Sequence, residues 1–128
     1  MLPTLSLLLV RLFGLGGFIS GIIWILSPAK YLRYFGLPQT YITPQTCTLC
    51  LALGARNSAA GLVIILVSLY ASKELTAAVL AVFATACGTL DTVVCLRAGV
   101  ERGREMRWAG HLVNLGICCG IVGALVLS

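Results

Sequence analysis

The stretch "LALGARNSAAGLVIILVSLY" at positions 51–70 decides the fold, because it is a long apolar run with polar side chains inside it. A transmembrane helix needs about 20 mostly apolar residues, and this run has that length. Arg56 and Asn57 nevertheless lie within it, where a charge near the bilayer centre costs at least ~2.5–3.5 kcal/mol. The run therefore predicts a membrane-spanning helix whose arginine requires a partner inside the protein.

The composition of the whole chain predicts the same environment. Of its 128 residues, 59% are hydrophobic and 10% are charged, and the mean hydropathy is +1.03. A soluble domain of this size cannot bury that much apolar surface. The apolar runs are continuous and do not alternate with polar residues, which argues against a membrane β-barrel. The predicted spans are 4–27, 45–71, 74–97 and 108–127.

The predicted fold class is all-α, a polytopic membrane four-helix bundle that forms a single transmembrane domain over residues 1–128. A short interfacial segment, "PAKYLRYFGLPQTYITP" at 28–44, joins the first two spans and mixes basic with aromatic residues, as membrane-interface segments do. Pro38 and Pro44 exclude one long helix there, so we expect a short helix on the membrane followed by a turn.

Glycines predict which helix faces pack closely. The first span carries Gly14, Gly17 and Gly21 on one face, and the fourth carries Gly116 and Gly120. Because lipid supplies no hydrophobic force between helices, small residues that permit close backbone approach favour association. We expect both faces to pack against neighbouring helices.

Basic residues in the connections predict the orientation. The connection after the first span contains Lys30 and Arg33, and the one after the third contains Arg97, Arg102, Arg104 and Arg107. The opposite side has only Lys73 and the amino terminus. The positive-inside rule then places both basic connections in the cytosol and both termini in the lumen, in the endoplasmic reticulum. The net charge of +5 is thus a topology signal, and we expect no nucleic-acid partner.

The polar residues within the spans lie at similar depth in one half of the bilayer, given a rise of about 1.5 Å per residue. Three helical faces carry them at spacings of three and four: Cys47, Cys50, Gly54, Asn57 and Gly61; Ala84, Cys87, Asp91 and Cys95; and Arg107, His111, Asn114 and Cys118. Such faces turn inward. We therefore expect Arg56 to pair with Asp91 inside the bundle.

A carboxylate, a guanidinium, an imidazole and two amides in an apolar pocket can carry out acid–base chemistry without a metal or a cofactor. The substrate expected for such a pocket is a hydrophobic small molecule drawn from the lipid bilayer. Membrane helices also use buried Arg–Asp pairs and asparagines to hold helices together, so a purely structural role stays open.

Three motifs carry a resemblance to a known family: "GARNSAAGL" at 54–62, "GTLDTVVCLRAG" at 88–99 and "GHLVNLG" at 110–116. They resemble small four-helix membrane proteins found in fungal metabolite clusters, whose members have G-x-R-[DN]-x-x-x-G in the second helix, an Asp late in the third and a His early in the fourth. These proteins are similar to the membrane epoxide hydrolases or cyclases of polyene-pyrone pathways of the aurovertin and citreoviridin type.

The resemblance implies cofactor-independent opening of an epoxide in a polyketide-like substrate, by water or by an internal hydroxyl. It implies that Asp91 is the base and that His111 or Arg56 donates to the epoxide oxygen. Asn57 and Asn114 would orient substrate or water, and the tyrosines of the interfacial segment supply a second donor: Tyr31, Tyr34 or Tyr41. Asn57 stands where many members carry Asp, so a mechanism with two carboxylates is in doubt.

Two other functions are consistent with the sequence. One is a non-catalytic membrane scaffold or subunit that gathers pathway enzymes, and assembly of identical chains is left open as well. The other is a thiol–quinone oxidoreductase, because Cys47 and Cys50 form a C-x-x-C of the kind that vitamin K epoxide reductases place in a membrane bundle. A cytosolic position is reducing and weakens that signal.

Overall fold

The computed structural model describes residues 2–98 and 107–127, with side chains from 5 to 98 and from 109 to 127. Within them the helices are α1 (Leu2–Leu26), α2 (Pro28–Phe35), α3 (Pro44–Tyr70), α4 (Lys73–Ala98) and α5 (Arg107–Val126). A 3-10 turn, Gln39–Tyr41, precedes α3. The described ranges contain no strand, so the all-α class is confirmed, and every predicted span ends within two residues of its helix.

Four of these helices, α1, α3, α4 and α5, are long and apolar enough to cross a membrane. Large apolar side chains such as Leu12, Leu66 and Val82 are exposed on their outer surfaces, which suits contact with lipid chains. The chain is therefore a multi-pass membrane protein. Its description as a single domain over residues 1–128 stays a prediction.

Helices α1 and α3 pack backbone to backbone through their glycines. A Cβ added at Gly54 would lie 2.6 Å from the carbonyl oxygen of Gly21, and one added at Gly17 would lie 3.5 Å from the Cα of Gly61. Gly14 also faces Gly61. The close packing predicted for the glycines of the first span is therefore confirmed, and its partner is α3.

The same prediction is wrong for the fourth span. A Cβ added at Gly116 or Gly120 would meet no atom of the described residues within 4 Å, and both glycines are exposed. Helix α5 packs against α4 through another face, which includes Cys118, Ile121 and Leu125. The glycine spacing permits close approach, but no helix of the described chain occupies that side.

Helix α2 folds over one end of the bundle, which we call the α2 end. It begins with Pro28 at its first turn and stops at Gly36, whose φ of 113° is a left-handed conformation that glycine adopts readily. Leu32 of α2 is buried against Trp24 of α1 and Cys50 of α3. A short helix followed by a turn was expected for this segment and is present.

The other end of the bundle, which carries the turn between α3 and α4, contains a buried apolar core. Val10, Ile64, Leu80 and Leu125 form its buried cluster. Arg11 lies at this end, where its Nη2 donates to the backbone carbonyl of Ser68 at 3.2 Å. Arg11 is thus bound to the C-terminal part of α3, far from the polar residues of the α2 end.

Candidate functional site

A cavity of about 250 Å³ lies between the spanning helices below α2. We call it the chamber. Its walls are mostly apolar, with Phe13, Ile64, Phe83 and Leu115 among them. Its lining side chains with polar nitrogen or oxygen atoms are Ser20, Trp24, Tyr31, Asn57, Asp91, His111 and Asn114. An apolar cavity with a few convergent polar groups is the usual form of a small-molecule site.

Helical spacing explains why Asp91 points into the chamber. Ala84, Cys87, Gly88 and Asp91 follow one another at intervals of three, one and three residues along α4, and all four line the cavity. Residues at such spacing share one face of a helix. The inward face predicted for this span is confirmed for these residues.

Arg56 contacts two lining side chains without lining the chamber itself. Its Nη2 lies 3.9 Å from Asp91 Oδ1, which confirms the predicted ion pair at the outer limit of such a contact. Its Nε and Nη2 also donate to Asn57 Oδ1, at 3.2 and 3.1 Å. The Arg56 side chain remains 38% exposed, on the outer side of the carboxylate. The guanidinium therefore positions Asp91 and Asn57 and does not face the cavity.

His111 is held by the last residue of α2. Its Nε2 lies 3.2 Å from the carbonyl oxygen of Phe35, and the two rings are in contact at an interplanar angle of 53° with their centroids 4.6 Å apart. The Cys95 thiol donates to the same carbonyl at 3.4 Å. The last carbonyls of a helix lack partners within that helix, and here α4 and α5 supply them. The imidazole therefore joins α2 to the chamber.

A second cavity, of about 650 Å³, lies between α2 and α5, and we call it the outer groove. It is lined by Tyr34, Gly110, Val113 and Ile117, together with Tyr31, Phe35, His111 and Asn114. The last four residues also line the chamber, so the two cavities adjoin. The shared residues thus form a common wall, with the outer groove on one side and the Asp91 side of the chamber on the other.

The three candidate tyrosines have different positions. Tyr31 lines both the chamber and the outer groove, and Tyr34 lines the groove with 70% of its side chain exposed. Tyr41 lies in the 3-10 turn, is 46% exposed and lines neither cavity. The structure therefore does not bring Tyr41 to the site, because the turn carries it past the end of α2.

A tryptophan near the end of a span is typical of a membrane-interface anchor, but that interpretation is wrong for Trp24, which lines the chamber. Its side chain is only 3% exposed, because α2 folds over it, and its rings pack against Tyr31 and Phe35. Its Nε1 has no hydrogen-bond partner among the described residues. A sequence signal existed: Trp24 continues the helical face of Gly17 and Gly21 at a spacing of three residues.

The cysteines are all free. Cys50 of the C-x-x-C is fully buried beside Trp24 and Leu32, whereas Cys47 is partly exposed. Cys87 and Cys118 line the chamber. Within the described residues, no three His, Cys, Asp or Glu side chains are grouped so that they could hold a metal ion.

The chain belongs to the family described as "Domain of unknown function (DUF4267)", whose pattern matches residues 14–126. No curated protein and no solved structure matches the chain. The family description carries no activity, so the geometry of the chamber is the observation that bears on function.

Proposed function

We propose that this protein is a cofactor-independent membrane enzyme that opens an epoxide in a hydrophobic, polyketide-like substrate by acid–base chemistry. The observation that carries the proposal is the chamber, where Asp91, His111 and two amides from three helices line one apolar cavity. The motif resemblance to enzymes of polyene-pyrone pathways supports the choice of an epoxide as the reacting group.

Asp91 is the general base of the proposed reaction. Its carboxylate lines the chamber, and Arg56 stabilises its charge from the outer side. It removes the proton of the attacking hydroxyl, which belongs to water or to the substrate itself. The oxygen of that hydroxyl then bonds to an epoxide carbon while the carbon–oxygen bond of the ring breaks, leaving its electron pair on the epoxide oxygen.

His111 is the general acid of the same step. Because a carbonyl oxygen only accepts, its contact with Phe35 requires a proton on Nε2, which leaves Nδ1 of the imidazolium to protonate the epoxide oxygen. Transfer of the proton from Asp91 to His111 then restores both groups. The net reaction adds water to the substrate or isomerises it to a cyclic ether.

The amides orient the reactants. Asn57 Oδ1 accepts two hydrogen bonds from Arg56, which fixes the amide and leaves its NH₂ group for the substrate or water. Asn114 lines both cavities, at the point where a molecule from the groove would enter the chamber. Arg56 acts as a positioning residue in this scheme. Of the two candidate donors to the epoxide oxygen, His111 therefore supplies the proton.

The outer groove supports entry of the substrate from the bilayer. Val113 and Ile117 of α5 are exposed apolar residues of its lining, and Tyr34 lies at its edge. A lipophilic molecule can therefore pass from the membrane between α2 and α5 to His111. Tyr31, which lines both cavities, is the tyrosine placed to serve as a second donor.

The proposed orientation has the α2 end in the cytosol and both termini in the lumen of the endoplasmic reticulum. Lys30 and Arg33 are exposed at the α2 end, as is Arg97, and such a basic side favours the cytosol. Arg102 and Arg104, which contribute to the same prediction, lie outside the described residues.

Turnover by the purified chain tests the proposal. The protein in phosphatidylcholine nanodiscs is incubated with lipophilic terminal epoxides and epoxy-polyenes in water labelled with heavy oxygen, and products are identified by mass spectrometry. Label in a diol indicates hydrolysis, whereas an unlabelled cyclic ether indicates attack by an internal hydroxyl. Expression of a matching pathway with and without the chain gives the natural substrate, because the epoxide accumulates when the chain is absent.

The decisive comparison is between two carboxylates of α4. Asp91→Asn should lower the rate by roughly 10²–10⁴-fold, the usual contribution of a general base. Glu74→Gln is the matched control, because Glu74 is exposed at the other end of the helix and should leave the rate unchanged. A folded Asp91→Asn protein that keeps its rate within threefold of the wild type would refute the proposal.

A further inference from the structure

Large apolar side chains bound the chamber on the side away from α2. Phe13, Ile64 and Phe83 line the cavity, and they also belong to, or pack against, the buried core at the other end of the bundle. We call these three residues the floor. Ile64 is only 4% exposed, and a close-packed core gives it little room to move. The floor therefore limits how far a ligand can extend from the α2 end.

The polar side chains lie well above the floor. Asp91 is eight residues after Phe83 in α4, and Asn57 is seven residues before Ile64 in α3. At about 1.5 Å per residue, these intervals correspond to about 10–12 Å along the helices. The lining between the two levels consists mostly of small residues, with Leu115 as a larger exception: Gly17, Ala60, Gly61, Ala84, Cys87 and Gly88.

The length and the volume of this space both correspond to one extended alkyl chain. Because an alkyl chain with bonds of about 1.5 Å advances roughly 1.3 Å per carbon, the apolar section has the length of about eight carbons. An engineered cavity of about 150 Å³ holds one benzene molecule, so the chamber of about 250 Å³ holds about ten non-hydrogen atoms. A branched chain or a ring system of the same length would need a larger volume.

We infer that the chamber binds its substrate by an unbranched apolar end of about six to eight carbons, which lies between Asp91 and the floor. The floor sets the maximum length of that end, and the reacting group lies at a fixed distance from it. The rest of a larger molecule stays outside the chamber. This inference rests on the proposed function of the chamber as a ligand site and names its substrate class, but it does not depend on the reaction.

Methyl ketones test the length limit without turnover, because epoxide opening does not consume them. Tritiated ketones with tails of about four to twelve carbons are equilibrated with the full chain in phosphatidylcholine nanodiscs, and retention by empty nanodiscs is subtracted. Affinity is expressed relative to the ketone concentration in the bilayer, because lipid solvates a methylene about as well as a protein interior does. It should be constant up to about eight tail carbons and about tenfold lower at twelve, because a longer tail overpacks the floor.

Two substitutions should move the limit in opposite directions. Phe83→Ala removes a ring from the floor and should raise the limit by about two to four carbons. Cys87→Leu adds bulk one helical turn above Phe83 and should lower the limit by about two carbons. Val82→Ala is the matched control, because Val82 adjoins Phe83 in sequence but is 68% exposed on the outer surface, and it should leave the limit unchanged.

Three results would each overturn the inference: no saturable ketone binding, an affinity that does not depend on tail length, or an unchanged limit in a folded Phe83→Ala or Cys87→Leu protein. The wild-type profile and Cys87→Leu keep the test decisive if Phe83→Ala does not fold. A length limit in a chain that opens no epoxide would refute the proposed reaction alone. Epoxide opening without a length limit would refute this inference alone.

Discussion

Replacement of Gly54 by alanine should weaken the contact between α1 and α3 by an amount that the structure allows us to work out. The new Cβ would lie 2.6 Å from the carbonyl oxygen of Gly21 and 2.7 Å from Cγ1 of Ile25. The Ile25 side chain can rotate away, but the oxygen belongs to the backbone of α1. The two helices must therefore separate, and the displacement extends to Trp24 in the wall of the chamber.

The expected magnitude is the sum of two opposing effects. Overpacking of a close contact costs roughly 1–3 kcal/mol, whereas exchange of glycine for alanine inside a helix gains roughly 0.5–1 kcal/mol. Gly120→Ala has the second effect alone, because no atom of the described residues lies within 4 Å of the new Cβ. The difference between the two variants thus isolates the overpacking, and we expect roughly 1–3 kcal/mol.

Unfolding by SDS titration in bicelles measures both variants against the wild type. Gly54→Ala should unfold at a lower SDS fraction and Gly120→Ala at the wild-type fraction or above it. If the two variants have the same stability, then α1 and α3 do not approach each other closely at Gly54. The positions given to the chamber residues of these two helices would then be wrong.

Two further predictions concern charge and capping. Arg56→Gln should reduce the unfolding free energy by roughly 1–3 kcal/mol, which is less than for a fully buried ion pair because Arg56 is 38% exposed. Adding Asp91→Asn to this variant should restore part of the loss. A second, additive loss in the same titration would argue against coupling between the two residues. Thr43→Ala removes the capping box in which Thr43 Oγ1 accepts from Thr46 N at 3.2 Å, and should cost about 1 kcal/mol; unchanged stability would show that the cap is not formed.

The helix positions could be predicted because two independent signals agreed on them. Long apolar runs predicted the four spans, and prolines predicted a break before the second span; in the structure Pro28 and Pro44 both occupy the first turn of a helix. The short turn between α3 and α4 left little freedom in how those two helices lie. The polar face of α4 followed in the same way, since Asp91 recurs with Cys87 and Ala84 at helical spacing.

The direction in which individual side chains point, and what they pack against, was harder to predict for physical reasons. Asn57 lies on the inward face of its helix, but the adjacent Arg56 is rotated by about 100° and reaches Asp91 from outside the chamber. Gly116 and Gly120 have the same spacing as the packed glycines of α1, yet nothing in a spacing tells whether a partner is present. Trp24 lies near the end of a span, where interface residues are common. Its burial comes from α2, and the sequence does not show that this helix folds back over it.

Photoaffinity labelling tests most directly whether the chamber is the site at which the ligand binds. A medium-chain terminal epoxide that carries a diazirine is photolysed with the protein in nanodiscs, and the labelled residues are mapped by mass spectrometry. We predict labels on chamber residues such as Cys87 and Leu115, and their loss when unlabelled epoxide is added in excess. Labels confined to lipid-facing residues such as Leu12 and Val82, without competition, would contradict the account.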